Sequence, residues 1–339
     1  MRTVVAIPPM NRMTGGLAVL YQVAARLREC GLPVALTAAD NTPGLTAAVG
    51  RGFEVLPWEV VTDKSLASPL KETDWFLVAE GWPNMMAPAF NAGSRVLVYV
   101  QNWAYVFSAL PPAASWHNLP VSFLAVSDPV ARFVRDMAGL PLAGIVRPAL
   151  DGALYRPAQQ QSSKVVRIGW MPRKNKALAG QIRQIADGMD GKNDGRAQWV
   201  EIHGMTPAEV GQALGSCHIF LATGFPEGFS LPPLEAMASG CAVVGFTGFG
   251  GWDYMRQADG GTYAPRFTPR PVPWNGNGLF AADGDVLEAS HLLREAVAMV
   301  RENSSRYAAI REQGLKTAAA YSIEAQREEI RAIWGSLPA

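Results

Sequence analysis

Along the chain, short apolar runs alternate with longer segments in which apolar residues return every three or four positions. Thr3 to Ile7 reads as a buried strand, and Leu17 to Glu29 as a helix with Leu17, Leu20, Val23, Ala24 and Leu27 on one face. Strands are expected again at Leu32 to Thr37, Phe53 to Leu56, Trp75 to Ala79, Arg95 to Val100 and Phe123 to Val126, before a helix over Pro129 to Ala138. Each strand leads into a polar or small-residue loop. This rhythm predicts an α/β fold whose parallel sheet is covered by helices.

The rhythm restarts in the second half. Strands are expected at Val165 to Trp170, Trp199 to His203, Ile219 to Ala222 and Cys241 to Phe246, with helices over Leu178 to Met189 and Pro207 to Leu214. A Pro/Gly-rich stretch from Pro265 to Gly278 carries no period and reads as a lid or acceptor loop. Helices Val286 to Arg301, Ser304 to Tyr321 and Ile323 to Trp334 close the chain. Between the halves, Gln159 to Ser163 is polar throughout. At 339 residues the chain exceeds what one core usually supports. The expected division is therefore 1–160, 161–322 and a terminal helical segment 323–339.

Composition narrows the function classes. With 49% apolar residues both halves can bury a core. Cations and anions number 12 and 11 through residue 160 and 18 and 18 beyond it, so nucleic acid is not an expected partner. Cys30, Cys217 and Cys241 form no C-x2-C pair, and His117, His203, His218 and His291 form no ligand cluster, so reduced thiols and no metal are expected. The opening MRTVVAIPPM is broken by proline too early for a signal peptide, and no apolar run reaches the roughly 18 residues that span a bilayer. A cytoplasmic protein is expected.

The densest run of signals is Ile219 to Gly251, IFLATGFPEGFSLPPLEAMASGCAVVGFTGFGG. A strand ends in the turn formers Thr223, Gly224 and Pro226, and a helix follows that Pro232 and Pro233 open without loss, with Ser230 or Leu231 just before it. The amides of Gly228, Phe229, Ser230 and Leu231 would thus meet at a helix N-terminus, a setting that suits a diphosphate. Glu227 and Glu235 flank this loop. Carboxylates accept paired hydrogen bonds and suit the vicinal hydroxyls of a sugar or ribose. A glutamate can equally be a solvated loop charge or a complement to a helix dipole, but the glycine turn at Gly248, Gly250 and Gly251 after the next strand favours the ligand site. Upstream, Arg173, Lys174 and Lys176 crowd a turn at a strand's carboxyl end and suit two phosphates whose charge grows as a bond breaks. Gly15 and Gly16 sit at the first strand-to-helix turn, where α/β folds bind ligands. A dinucleotide fingerprint there is incomplete, because TGGLAVL lacks its third glycine.

The Glu227 to Glu235 spacing, an E-x7-E motif, and the following EAMASGCAVVG resemble the retaining nucleotide-sugar glycosyltransferases of family 4. The likeness is specific from about residue 165 to 335 and diffuse before that. It implies a GT-B architecture: two Rossmann-like domains facing a central cleft, with the C-terminal helix crossing back to the first. It implies transfer of a sugar from a nucleoside-diphosphate sugar, UDP-, GDP- or dTDP-linked, to a hydroxyl of a glycan, lipid-linked or small-molecule acceptor, without cofactor or metal. Glu227 would contact the transferred sugar, Glu235 the ribose, and Gly15 and Gly16 would form the paired-glycine loop over the donor. Catalytic roles fall to Glu227, to the cations Arg173, Lys174 and Lys176, and to Asn102. Gln101 or Asn102 stands where the family carries a histidine, with His117 a weaker candidate. Trp170 stands near the family's arginine. Trp82, Trp103 and Tyr105, among the aromatics Phe107 and Trp116, are candidates for an acceptor surface. Two alternatives accompany this reading: a GT-B sugar-nucleotide epimerase or hydrolase, and a catalytically silent nucleotide-sugar-binding partner subunit. A lipid-linked acceptor would add peripheral membrane contact.

Overall fold

Strand β1 (Thr3–Ala6) is wholly buried and lies inside a parallel sheet. The sheet continues with β2 (Val34–Ala38), β3 (Glu54–Pro57), β4 (Trp75–Ala79), β5 (Arg95–Val100), β6 (Val121–Ala125) and β7 (Leu142–Ile145), in the order β3-β2-β1-β4-β5-β6-β7. The chain winds outward from β1 to β3, then crosses to β4 and winds the other way. The topological switch point therefore lies between β1 and β4. The computed structural model describes residues 1–158, 165–189, 197–258 and 263–338, and within it the chain divides into two compact units, Met1–Ala149 with Glu324–Ala339, and Leu150–Ile323.

The second unit holds a five-stranded parallel sheet of β8 (Arg167–Trp170), β9 (Gln198–Glu201), β10 (Ile219–Ala222), β11 (Ala242–Phe246) and β12 (Gly278–Ala281). Its order is β12-β11-β10-β8-β9, so its switch point lies between β8 and β10. Ile168, Leu221, Val244, Phe246 and Leu279 of this sheet pack in one core with Ile182 and Leu293 from the helices Lys176–Met189 and Val286–Arg301. Trp170 belongs to this core, which is why its ring is not available at the loop beyond β8.

Several expectations shift. The division falls at Ala149/Leu150, ahead of the expected 160/161, and again at Ile323/Glu324; the polar stretch Gln159 to Ser163 lies outside the described residues. The helix expected over Pro129 to Ala138 is an α-helix over Asp128–Arg132, capped by Ser127, that loosens into a π turn over Phe133–Met137. β7 and β12 are strands where none was expected, each only four residues long. The stretch after residue 263 packs within its own unit: Trp274 is buried and donates from Nε1 to the Tyr254 carbonyl at 2.8 Å, and the Phe267 ring stands 5.7 Å from that of Phe249. This disposes of a free lid for the part carrying Trp274. The last helix, Ile323–Ser336, joins the first unit from Glu324 onward. Trp334 donates to Thr3 Oγ1 at 2.8 Å, Gln326 Nε2 to the Arg147 carbonyl at 2.7 Å, and Arg147 pairs with Glu329.

Candidate functional site

In the second unit the carboxyl ends of β8 and β10 feed the two loops at the switch point, where open α/β sheets receive ligands. The loops are tied together. Asn175, in the left-handed region at φ 61°, donates from Nδ2 to the carbonyls of Thr223 and Phe225 at 2.8 and 3.1 Å, and Thr223 Oγ1 donates to the Lys174 carbonyl. Across them Lys174 Nζ forms an ion pair with Glu227 Oε1, both side chains partly exposed. Of the three candidate cations, Lys174 is thus the one fixed at the site. Arg173 is exposed, and its charge acts on Glu235. Lys176 is exposed in the first turn of its helix and makes no hydrogen bond or ion pair among the described residues.

Beyond Glu227 the backbone is tightly packed. Gly228, Phe229 and Ser230 are buried, and the Phe229 ring sits 5.4 Å from both Tyr254 and Tyr321. Tyr254 donates its hydroxyl to the Ser230 carbonyl at 2.5 Å, holding Ser230 at φ 67° and ψ 69°. The helix Leu231–Ala238 carries its prolines at the second and third positions. Proline lacks an N–H, so this terminus offers fewer donors than an ordinary helix. The amides of Phe229 and Ser230 make no hydrogen bond among the described residues.

Glu235 lies one turn into that helix. Burial raises its pKa, while a hydrogen bond from the Tyr155 hydroxyl and the charges of Arg173 and Lys174 hold it down. Tyr155 is itself pushed up, first by its burial and then by Glu235. In sequence Tyr155 reads only as part of a segment joining the two halves; its contact with Glu235 carries no period or motif that would reveal it.

In the first unit the switch point gathers Gly15 and Gly16 after β1 and Glu80 after β4. Thr14 caps the helix Gly15–Glu29, accepting from Leu17 N at 3.2 Å. A Cβ on Gly16 would stand 2.4 Å from Gln101 Oε1, whereas Gly15 has open space around it. Glu80 is 3% exposed and accepts from the amides of Gln101 and Asn102 at 3.0 and 2.8 Å. Burial lifts it to about 7 against those hydrogen bonds. The Asn102 side chain caps the turn Trp103–Tyr105, accepting from Ala104 N at 3.0 Å, so its oxygen is engaged locally. Gln101 Nε2 is buried without a hydrogen-bond partner among the described residues, which makes Gln101 the better placed of the two to meet a ligand.

The aromatic candidates separate. Trp82 and Trp103 are half-buried and Tyr105 is exposed, with Trp103 and Phe107 both resting against Phe133. Trp116 is buried on Phe123 and donates to the Val106 carbonyl, so it belongs to the core and not to a surface. His117 lies ahead of β6 beside Gly139, at the amino edge of the sheet and away from the turn that follows β5. It cannot stand in for a histidine there. Among the described residues no three His, Cys, Asp or Glu side chains are placed to share a metal.

Residues 153–269 match the family described as Glycosyl transferases group 1. The match includes the second-unit loops from Tyr155 to Gly251 and none of the first-unit residues. The chain is 24% identical over 240 residues to an alpha-1,6-glucosyltransferase of Actinobacillus pleuropneumoniae serotype 7, covering 70% of each chain. In three dimensions it resembles a glycosyltransferase from Rickettsia africae at a TM-score of 0.70, with 11% identity and 99% of each chain covered. It also resembles the pneumococcal O-GlcNAc transferase in complex with UDP and GlcNAc at a TM-score of 0.65, with 10% identity, covering 98% of this chain and 99% of that one. The fold is GT-B. With the group 1 match over the second unit, these findings support a glycosyltransferase. No helix among the described residues is long and apolar enough to cross a membrane.

Proposed function

We propose that the protein is a retaining, metal-independent glycosyltransferase of family 4 that moves a sugar from a nucleoside-diphosphate sugar to a hydroxyl acceptor. The observation that carries this reading is the constellation at the β8/β10 switch point: the Lys174–Glu227 pair, the unbonded amides of Phe229 and Ser230, and the Tyr155-supported Glu235, all within one unit. The diphosphate is received by the loop amides and Lys174, the ribose by Glu235, and the sugar hydroxyls by Glu227. As the glycosidic bond breaks, charge accumulates on the leaving phosphate, and Lys174 with the loop amides stabilises it without solvent reorganisation. The acceptor oxygen attacks the anomeric carbon on the face from which the phosphate departs, and its proton passes to the leaving phosphate oxygen. On the first unit, taken by itself, Gly15, Gly16 and Gln101 are the candidate donor contacts, and Trp82, Trp103 and Tyr105 the candidate acceptor contacts. We place the protein in the cytoplasm, where such donors are made.

The test is incubation with UDP-, GDP-, ADP- and dTDP-glucose, following release of the nucleoside diphosphate with and without EDTA. UDP-sugars come first because a structural neighbour carries UDP. Release that persists in EDTA, accelerated by an added glycan or glycoside acceptor and giving product of unchanged anomeric configuration, supports the proposal. Inversion at the anomeric carbon, or loss of release in EDTA, refutes the corresponding part.

A further inference from the structure

The turn between β11 and the short 3-10 helix Gly250–Asp253 is bent against its own preferences. Gly248 stands at φ 64°, and the next residue, Phe249, at φ 72° and ψ −56°, where a non-glycine residue rarely goes. Such a conformation persists when its surroundings over-determine it. Here the determinant is a single carboxylate just beyond β12. Asp283 Oδ1 accepts from Gly248 N at 2.8 Å, and the amides of Thr247 and Phe249 bond the same carboxylate. Successive N–H groups aimed at one point form a nest for an anion, and the protein fills this one itself.

The same turn clasps Glu227. Glu227 N donates to the Gly248 carbonyl at 2.9 Å, Gly250 N donates to the Glu227 carbonyl at 3.0 Å, and Glu227 and Phe249 form a short parallel bridge. There is no slack between them. A Cβ on Gly248 would stand 2.8 Å from Glu227 Cβ, and one on Gly250 would stand 2.2 Å from the Gly228 carbonyl oxygen.

We propose that Asp283 is a positioning residue for the candidate donor site: its carboxylate gathers the amides of Thr247, Gly248 and Phe249, and the turn so formed fixes the backbone of Glu227. The proposal rests on Glu227 being a donor-site group. Asp283 is held up at about 6 by its burial, which outweighs the three backbone hydrogen bonds that favour the ionised form. Burial and those three backbone bonds set it, with no charged side chain among the causes; the titratable neighbour on its own segment, Asp285, is engaged in capping the helix Val286–Arg301, accepting from Glu288 N. Protonation removes the negative charge that the three N–H groups share, so the clasp loosens as pH falls through about 6.

The experiment is amide NMR of the full-length protein across pH 5 to 8, in wild type and Asp283→Asn. The amides of Gly248, Phe249 and Glu227 are expected to titrate together with a midpoint near 6 in wild type and to lose that titration in the variant. Because the raised pKa makes the ionised form a cost to folding, the variant should melt no lower than wild type at pH 7.5, while donor turnover falls about tenfold and its acid limb near pH 6 disappears. Glu227 standing still while Gly248 titrates, or all three amides staying flat, overturns the proposal. The wild-type titration decides this even if the variant does not fold. A wild type that titrates as expected yet turns over no donor upholds the clasp and refutes the donor reading.

Discussion

Glu235 shows how much a single side chain's neighbours decide. Burial raises its pKa, and the bond from Tyr155 together with the charges of Arg173 and Lys174 partly opposes that rise. If that carboxylate meets a ribose, Glu235→Gln should weaken nucleotide binding by about 1.5 to 3 kcal/mol, ten- to hundredfold in affinity. Tyr155→Phe should cost about tenfold, and the double variant should lose less than the two effects added, because both act on one contact. Calorimetry on the four proteins gives the coupling, and strict additivity would separate Tyr155 from Glu235. Lys174→Met leaves Glu227 without its partner. It should lower kcat by at least tenfold and donor affinity less, since the charge Lys174 meets is largest in the transition state; a change confined to KM would place Lys174 in ground-state binding alone. At this scale the sequence was legible where chemistry and pattern coincide. Glu227, Glu235 and the basic turn stood in a strand-loop-helix frame that pointed to them. Glu80 stood in a loop at a strand's end and Tyr155 in a joining segment, but neither their partners nor Asp283 could be read, because each acts by reaching a backbone or side chain far away in sequence. Asp283 does so across 35 residues to Gly248, and no period records that.

At the scale of elements, the site is two loops and a glycine turn held in contact. Gly250 lies under the loop because any side chain would enter the backbone of Gly228 and Phe229, 2.1 Å from the nearest atom. Gly250→Ala should therefore destabilise the protein by on the order of 3 kcal/mol and abolish nucleotide binding, since the obstacle is backbone and cannot swing aside. Thermal melting with and without UDP checks both, and a variant that melts and binds like wild type would mean the turn has room that its geometry denies. Long amphipathic helices and apolar strands were legible to within a few residues. The strands of four residues, β7 and β12, were not. Four apolar residues beside glycine or proline look the same in a loop, and what makes β12 a strand is its pairing with β11, which lies more than 30 residues upstream.

For the whole molecule, the two buried carboxylates predict a pH dependence of stability. Glu80 at about 7 and Asp283 at about 6 both bind a proton more tightly folded than unfolded. Their contribution is present in full below the ordinary carboxylate range and is lost as pH rises through 6 to 7, so stability should fall between pH 5 and pH 8. Glu80→Gln should flatten most of its share of that fall, of order 3 kcal/mol, in urea unfolding at the two pH values. An unchanged difference between pH 5 and pH 8 would show that Glu80 is ionised throughout this range in the folded protein. The alternation of strand and helix announced two Rossmann-like units, but not where one ends. The chain between Leu150 and Arg156 looks like connecting segment in sequence, yet it packs in the second unit, where the Leu154 carbonyl would stand 2.2 Å from a Cβ on Gly211.

On the proposed reading a nucleoside diphosphate binds on the second unit at the carboxyl edge of β8 and β10. A crystal structure of the protein with UDP, or with whichever nucleoside diphosphate binds most tightly, tests it most directly. Phosphate oxygens should lie at hydrogen-bond distance from the amides of Phe229 to Leu231 and from Lys174, with the ribose hydroxyls on Glu235. A nucleotide seated elsewhere on the second unit, with Lys174 still paired to Glu227 and Glu235 bonded to Tyr155 alone, would contradict it.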